Sequence, residues 1–334
     1  MKKTLFVLSA LAMLVCSCNK EEQVGKEVNG KPVEVTVQIN GTAMTKSTGN
    51  TYANESKVNN LQILVFNGTG ELEGYESVNE AMSVTLMASA GEKTVWAVVN
   101  APSLKDVKTL NELNGTVSSL SDNDLDSFVM TGSLTTELTD GAVVAITVKR
   151  IVARVSVAKI TAAFPDTPAY AGKTFKVKGI YMLNVAESLN LSLSGEPSTW
   201  FNKLSHVDTD ADKYLYDALD ETIANNSSYE AEHAFYPYPN NVDKSVKDIA
   251  EAERGTWSPR RSILCIEAEF DGTLGYYPIE LPVIERNKTY IIEEVKITRS
   301  PGDKPYDPIE TGEATVSITV ADWELGLNLG TITI

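Results

Sequence analysis

A short alternating segment near the start of the chain constrains what the rest can fold into. Its apolar residues are Val33, Val35, Val37 and Ile39. Polar residues occupy the positions between them, which is the period-two pattern of a β-strand with one buried face. A loop of small polar residues follows and contains Lys46 and Ser47. The segment is therefore either an ordinary first strand or a strand that a trypsin-like protease releases by cutting between Lys46 and Ser47.

The other end of the chain carries a second alternating segment, which is a candidate to replace a released strand. Its apolar residues are Trp323, Leu325, Leu327 and Leu329 and, beyond Gly330, Ile332 and Ile334. About ten to twelve extended residues span roughly 35 Å, enough to line one groove of a β-sandwich. An apolar last strand that stays exposed invites aggregation, so it needs a partner. It is either the last strand of its own domain or a strand donated to a neighbouring copy.

Length and charge limit the classes of partner. A chain of 334 residues is long enough for two domains that each bury a core. The formal net charge is −16, and residues 1–46 hold six Lys and four Glu, so the remaining chain bears a charge of −18. Nucleic acid and anionic lipid headgroups repel so acidic a body. We therefore expect no nucleic-acid partner.

The first 17 residues have the pattern of a lipoprotein signal peptide. Two lysines precede an apolar stretch, residues 5–15, that is too short to span a bilayer as a helix. Cys18 follows the small residue Ser17, as the lipidated cysteine of a bacterial lipobox does, and residues 19–22 look like the acidic export signal of surface lipoproteins. Cys16 fits less well, and plain secretion is the alternative. Lipid on Cys18 would attach the chain to the outer membrane, and Cys265 would be the one other cysteine, which excludes an internal disulfide.

The body of the chain alternates short apolar segments with turn residues. The segments are 58–66, 84–87, 94–99, 175–184, 189–193, 263–270, 276–281, 289–298 and 315–320. The first of these is apolar enough to be a central strand, 263–270 and 276–281 read as a hairpin, and the proline-rich 234–239 suits a sheet edge or loop. Many short strands with turn signals favour β-sandwiches over an enzyme barrel.

Two short helices are also predicted. Ser103 and Asp106 have the spacing of a capping box, and the apolar residues after them predict a helix that ends before Gly115. The polar segment 208–228 carries Leu215, Leu219 and Ile223 at helical spacing, which predicts a surface helix.

A change of parity marks the expected domain boundary. The large apolar residues have even numbers over residues 144–148 and odd numbers over residues 151–157. Such a switch changes which face of a strand is buried. We expect one long strand that leaves one core and enters another, with a boundary near Arg150 that separates domains 47–150 and 151–322.

Several segments, taken in order along essentially the whole chain, resemble the fimbrillins, the subunits of type V pili in Gram-negative anaerobes. Beside the lipobox they are residues 61–66 with the Asn-Gly turn, Phe-Val-Met-Thr-Gly at 128–132, residues 148–157, Phe-Tyr-Pro at 235–237, Tyr-Tyr-Pro at 276–278, Ile-Glu-Arg-Asn-Lys-Thr-Tyr at 284–290 and Val-Ala-Asp-Trp at 320–323.

The resemblance implies a fold, a route of export and a mode of assembly. The fold is all-β, with two transthyretin-like Greek-key β-sandwich domains in tandem and a few short helices. Export as a lipoprotein, proteolytic loss of the first strand after an Arg or Lys, and donation of the last strand to the next subunit are also implied. On this basis, residues 18–46 are a lipidated propeptide and residues 323–334 a donor strand, and partners are other copies, related pilus subunits and the processing protease. Many relatives have Arg where this chain has Lys46.

Motifs for metal binding and catalysis were also considered. Two aspartate runs open like calcium loops: Asp122, Asp124 and Asp126, and Asp208, Asp210 and Asp212. Neither continues with the Gly and Glu that such loops need, so no metal is expected. The two histidines, His206 and His233, lie in unrelated surroundings, and Cys265 reads as a passive thiol. Without a hydrolase, zinc-protease or phosphate-loop motif, we expect no enzyme and no cofactor.

Three hypotheses follow for function. The first is a structural subunit of a pilus stem that supports adhesion, present as a surface lipoprotein precursor and, when mature, in extracellular fimbriae. The second is a tip adhesin or glycan-binding surface lipoprotein whose exposed aromatic residues, Trp200 and Trp257, contact the ligand. The third and weakest is a surface hydrolase. A tip subunit does not need an apolar tail, and this chain has one.

Overall fold

A computed structural model describes residues 30–40, 54–203, 215–250, 253, 256–306, 319–323 and 331–333. The predicted all-β class is confirmed, because short strands paired in small sheets account for most of the secondary structure in this part of the chain. None of the helices in these ranges is long and apolar enough to cross a membrane.

The first half of the chain forms a two-layered β-sandwich. Its strands are β1 (Pro32–Asn40), β2 (Asn60–Phe66), β3 (Leu72–Asn79), β4 (Ser83–Ser89), β5 (Gly91–Val99), β6 (Val117–Ser119), β7 (Met130–Leu138), β8 (Val143–Thr147) and β9 (Lys149–Arg150). One sheet has the order β4-β1-β8 and the other the order β3-β2-β5-β7-β9. Strand β2 is central, as its apolar character predicts, and it is buried on both faces.

The second half contains a larger set of strands. They are β10 (Arg154–Val157), β11 (Ile160–Ala162), β12 (Phe175–Leu183), β13 (Val185–Ala186), β14 (Ser188–Asn190), β15 (Trp200–Phe201), β16 (Tyr216–Thr222), β17 (Ser227–Tyr229), β18 (His233–Phe235), β19 (Ile263–Phe270), β20 (Thr273–Glu280), β21 (Lys288–Ile292), β22 (Glu294–Ile297), β23 (Thr319–Asp322) and β24 (Thr331–Thr333).

These strands again make sheets that enclose apolar side chains. One sheet has the order β16-β12-β19-β20, in which β19 and β20 form the predicted hairpin. The sheets β18-β10-β21-β23 and β17-β11-β22-β24 are arranged alike. Each strand of one sheet is next in the chain to the strand at the same position of the other sheet. The proline-rich segment 234–239 begins in the edge strand β18 and continues outside any strand, in agreement with the predicted edge or loop. Two small pairs, β13-β15 and β14-β6, complete the set, and the second joins the two halves.

Two large apolar clusters divide near residue 150. Val144, Ile146 and Val148 belong to the core between the first two sheets. From Ile151 onward the buried residues belong to a larger cluster, which also includes Leu64 and other residues of the first half. The expected single long strand is wrong, because the chain breaks into β8, β9 and β10 as it moves between sheets. A boundary near residue 150 stays a prediction, since the larger cluster runs across it.

The first predicted helix begins later than the sequence indicated. Helix α1 spans Leu110–Gly115 and is capped by Thr109 and Glu112 rather than by Ser103 and Asp106. Leu104 is buried, but its backbone N–H donates to the Gln62 side chain at 2.8 Å. This contact from β2 holds the preceding segment outside the helix. Two 3₁₀ turns, Leu120–Asp122 and Val246–Asp248, are also present.

The second predicted helix is wrong over the residues that the structure describes between 215 and 228. Tyr216–Thr222 instead form strand β16 at the edge of a sheet, where Lys176 pairs with Thr222 and Tyr181 pairs with Tyr216. The helical spacing of three apolar residues was a weak local signal. Pairing with β12 overrides it, because an edge strand satisfies the backbone while its polar side chains face water.

Candidate assembly site

Strand β1 lies in the middle of its sheet, with a partner on each side. It pairs antiparallel with β4 from Pro32 opposite Ser89 to Gln38 opposite Ser83. It also pairs in parallel with β8 from Thr36 opposite Val143 to Asn40 opposite Thr147. Loss of β1 would therefore expose the backbone edges of two strands at once.

The apolar face of β1 is part of the first core. Val33, Val35, Val37 and Ile39 are each 5% exposed or less and belong to the cluster between the two sheets. Burial of four such side chains contributes roughly 6–12 kcal/mol before entropy is counted. Their removal would leave an apolar groove bounded by β4 and β8.

After β1 the structure describes the chain again from Asn54. The next residue, Glu55, is held in the interior by several contacts. Glu55 is 3% exposed, and its Oε1 accepts a hydrogen bond from the Tyr236 hydroxyl at 2.9 Å. Arg154 Nε lies 3.5 Å from the same oxygen, as an ion pair. Arg150 Nε donates to the main-chain carbonyl of Glu55 at 2.9 Å. The segment that follows the candidate cleavage loop is thus tied to the second half of the chain.

Trp323 completes this arrangement. Its Nε1 donates to Glu55 Oε2 at 3.1 Å, its ring stacks on Tyr236 with centroids 5.8 Å apart, and the Arg150 guanidinium lies 4.5 Å from its ring centroid. We call Glu55, Arg150, Arg154, Tyr236 and Trp323 the Glu55 junction. Trp323, expected in the donor strand, is 5% exposed and packed within its own chain.

The chain around Trp323 follows the edge of the second-half sheets. Strand β23 pairs antiparallel with β21, with Asp322 opposite Lys288 and Thr319 opposite Ile291. Strand β24 pairs in parallel with β22, with Ile332 opposite Val295. In a single copy of the chain, the backbone of 331–333 is therefore paired within the same molecule.

Several predicted site residues lie outside the part of the chain that the structure describes. These are Cys18, Lys46, Ser47, Leu325, Leu327, Leu329 and Ile334. They stay predictions, as does the transfer of the tail.

Trp200 and Trp257 were expected to be exposed and to contact a ligand, and neither residue is exposed. Trp200 is 6% exposed, its Nε1 donates to the Pro197 carbonyl at 3.2 Å, and its ring centroid lies 5.6 Å from that of Trp257. Trp257 is half-buried and donates through Nε1 to Asn184 Oδ1 at 3.2 Å. Both indole N–H groups are therefore used within the chain, and the two rings pack against each other.

The other polar candidates have structural contacts. Asp122 Oδ2 accepts from the Ser119 N–H at 2.9 Å as a cap, and His233 Nδ1 lies 2.8 Å from Asp217 Oδ2. Cys265 is fully buried, and burial raises the pKa of its thiol to about 12. Within the described ranges, no group of three or more His, Cys, Asp or Glu side chains is placed to hold a metal ion. Asp208, Asp210, Asp212 and His206 lie outside those ranges.

Sequence reasoning missed the Glu55 junction. The chain has 45 acidic residues, and nothing local separates Glu55 from the others. The one available signal was the pair Arg150 and Arg154, two cations within the apolar stretch at the expected boundary. Charges there need buried counterions, and Glu55 and Glu232 supply them to Arg154.

A fold built of small β-sheets is shared with fimbrial subunits, as comparison with known proteins shows. Residues 32–177 match the family model described as major fimbrial subunit protein (FimA). The resemblance to the fimbrillins is thereby confirmed, with the matched residues covering slightly less than half of the chain.

Individual relatives share limited sequence identity with this chain. A protein of Parabacteroides distasonis described as fimbrium tip subunit Fim1C is 28% identical over 214 residues, which cover 53% of this chain and 56% of that protein. The chain thus spans only slightly more than half the length of this curated relative.

Solved structures share the fold. A cell adhesion protein from Bacteroides eggerthii aligns with a TM-score of 0.63 and 16% identity, over 93% of this chain and all of that one. A fimbrilin (FimA) from Porphyromonas gingivalis aligns with a TM-score of 0.61 and 19% identity, over 89% of this chain and 99% of that one. Both likenesses show the β-sandwich fold of fimbrilins.

Proposed function

We propose that this chain is a structural subunit of a surface pilus that polymerises by donor-strand exchange and supports adhesion. It is exported as a lipoprotein acylated at Cys18 and cleaved between Lys46 and Ser47. Strand β1 then leaves, and the tail of a neighbouring copy takes its place. The observation that carries the proposal is the position of β1, which is central in its sheet, buried through four side chains, and joined to the body through the segment that contains Lys46.

The tail has the chemistry to replace β1. Leu325, Leu327 and Leu329 alternate as the valines of β1 do. Their burial would contribute about 5–9 kcal/mol before ordering costs, and the tail backbone would restore the ladder to β4 and β8, as in other strand-addition complexes. Donor and acceptor lie at opposite ends of the chain, so the contact does not close and a filament grows.

We infer from the contacts of the Glu55 junction that Trp323 has a different role from that of the leucines. Its buried contacts keep it with its own subunit as the root of the tail, and the transferred segment is then 324–334. Pairing of 331–333 with β22 is the form of the monomer before assembly.

The groove is tested with the protein that begins at Ser47. A synthetic peptide of residues 324–334 should bind this form and not the longer form that retains β1. The matched control is the same peptide with Leu325→Asp and Leu327→Asp, which should not bind. Equal binding to both protein forms would contradict the acceptor groove.

Processing is tested on protein from cells. Mature protein in pili should begin at Ser47, Lys46→Gln should block the cut, and Cys18→Ala should abolish acylation and surface display. Assembled pili whose subunits begin at Cys18 would refute the cleavage step.

A second candidate is a tip subunit, favoured by the description of the Parabacteroides distasonis relative. A tip subunit accepts a strand but donates none. Gold-labelled antibody should decorate the length of the pilus if the chain is a stem subunit and only the pilus ends if it is a tip subunit. Deletion of 324–334 should abolish pili in the first case and leave them unchanged in the second.

A further inference from the structure

A small cavity between the two halves of the chain has a positive lining, although the body of the protein is acidic. Its volume is about 260 Å³. Its polar and aromatic lining includes Trp96, Ser133, Thr147, Lys149, Ser192 and Arg286. None of the residues that line it is acidic. A cationic cavity on so acidic a chain is not a by-product of overall composition.

Arg286 is held rigidly at this cavity. Its Nε donates to the carbonyl of Arg150 at 3.2 Å, and its Nη2 donates to the carbonyls of Thr131 at 3.1 Å and Lys149 at 2.6 Å. These bonds fix the plane of the guanidinium. Its Nη1 has no hydrogen-bond partner among the residues that the structure describes, and this nitrogen is the donor that remains for a ligand.

The charge of Arg286 is not neutralised by a carboxylate in the described ranges. Burial lowers the pKa of Arg286 to about 10, and no acidic side chain opposes this shift. The group stays cationic at neutral pH. Lys149 is exposed at the same cavity and makes no ion pair in the described part of the chain. Two cations without counterions at one cavity attract an anion.

The remaining lining specifies the kind of anion. The hydroxyls of Ser133 and Thr147 offer donors and acceptors to a polyhydroxylated ligand. The Ser192 hydroxyl already donates to the Asn114 carbonyl at 3.0 Å. Half-buried Trp96 offers an aromatic ring, whose negative face attracts the weakly positive C–H groups of a sugar. The volume is below the roughly 300–1,000 Å³ of sites for drug-sized ligands, which suits a single ring.

We propose that this cavity binds an acidic sugar, with Arg286 and Lys149 holding its carboxylate and Trp96 and the hydroxyls contacting the ring. Guanidinium groups bind carboxylates through charge-assisted hydrogen bonds. The site lies within one copy of the chain, so it does not depend on strand exchange and supplies a ligand class for either a stem or a tip subunit.

The test uses ligand-observed NMR on the full soluble chain with two matched probes, D-glucuronate and D-glucose, which differ at C6. Glucuronate should bind in the millimolar range and glucose about tenfold more weakly or not at all. A third probe, N-acetylglutamate amide, presents a carboxylate without a sugar ring and should also bind more weakly than glucuronate. Equal binding of glucose would overturn the proposal, and so would tighter binding of the glutamate probe, which would assign the cavity to acidic peptides.

Variants locate the site. Lys149→Gln should weaken glucuronate binding about tenfold, and Arg286→Lys should weaken it as well. Because Arg286 also holds three carbonyls and its variant is at risk of misfolding, Lys149→Gln is the deciding change. The control is Lys247→Gln, an exposed lysine on a 3₁₀ turn of the second half, which should bind as the parent does. Unchanged binding by Lys149→Gln would refute the assignment.

Discussion

Trp323 Nε1 donates a hydrogen bond of 3.1 Å to Oε2 of Glu55, 268 positions earlier in the chain. Glu55 follows the loop in which cleavage is proposed, and Trp323 precedes the proposed donor segment. One buried carboxylate therefore connects the two ends that the proposed processing and assembly act on. In the proposed exchange, this contact would hold the segment after the cleavage loop and the start of the tail in place while the flanking segments move.

The first prediction concerns that carboxylate. Glu55→Gln should lower the free energy of unfolding by about 3 kcal/mol, because it removes a buried charge from Arg154 while keeping the size of the side chain. Urea unfolding measures the change. Glu92→Gln, at an exposed position of β5, is the control and should be nearly neutral. A loss below about 0.5 kcal/mol for Glu55→Gln would show that the junction contributes little.

The second prediction concerns the face of β1. Val37→Ala should destabilise the precursor by about 2 kcal/mol, because the side chain is fully buried opposite Val84 and Val144. Val143→Ala on β8, which is 65% exposed, is the matched control. In filaments whose subunits begin at Ser47, the Val37 variant should behave as the parent. A persistent defect there would mean that β1 remains in the mature subunit.

The third prediction concerns Gly132, a residue of β7 that lies close to the backbone of β8. A Cβ on Gly132 would lie 2.2 Å from the carbonyl oxygen of Thr147, where β8 passes close to β7. Gly132→Ala should therefore destabilise by about 1–3 kcal/mol or more. Gly115→Ala, whose Cβ would meet nothing within 4 Å, is the control. Thermal unfolding of both variants should separate them by several degrees.

The fourth prediction concerns alkaline pH. Burial raises the pKa of Cys265 to about 12 from an ordinary value near 9. The neutral thiol is favoured in the folded state, so its contribution is full below about pH 9 and is lost as the pH rises towards 12. Buried Tyr277 acts in the same direction above pH 10.

The measurement is the melting temperature between pH 8 and 11. Cys265→Ala should show a shallower fall between pH 9 and 10 than the parent, and native Cys265 should react with a thiol reagent only after denaturant is added. Rapid labelling of the native protein would contradict the buried assignment.

The sequence by itself determined the strands whose apolar residues have a clear period. β1 and the hairpin of β19 and β20 read correctly because alternation and turn residues act over a few neighbours. The all-β class followed from the same local signals. The predictions for residues 103–109 and for the described residues 215–228 were wrong, because Gln62 and the edge of β12 decide their conformation from elsewhere in the chain.

Only the tertiary structure decided the Glu55 junction and the cationic cavity. The residues next to Glu55 in the sequence do not indicate that its charge is buried. Its burial depends on Arg154, Tyr236 and Trp323, which are distant in sequence. Arg286 likewise reads as an ordinary surface cation until three carbonyls from the end of one sandwich surround it. Periodicity reports which face of a strand is apolar, whereas the pairing of buried charges depends on which strands meet, and that is decided by packing across the whole chain.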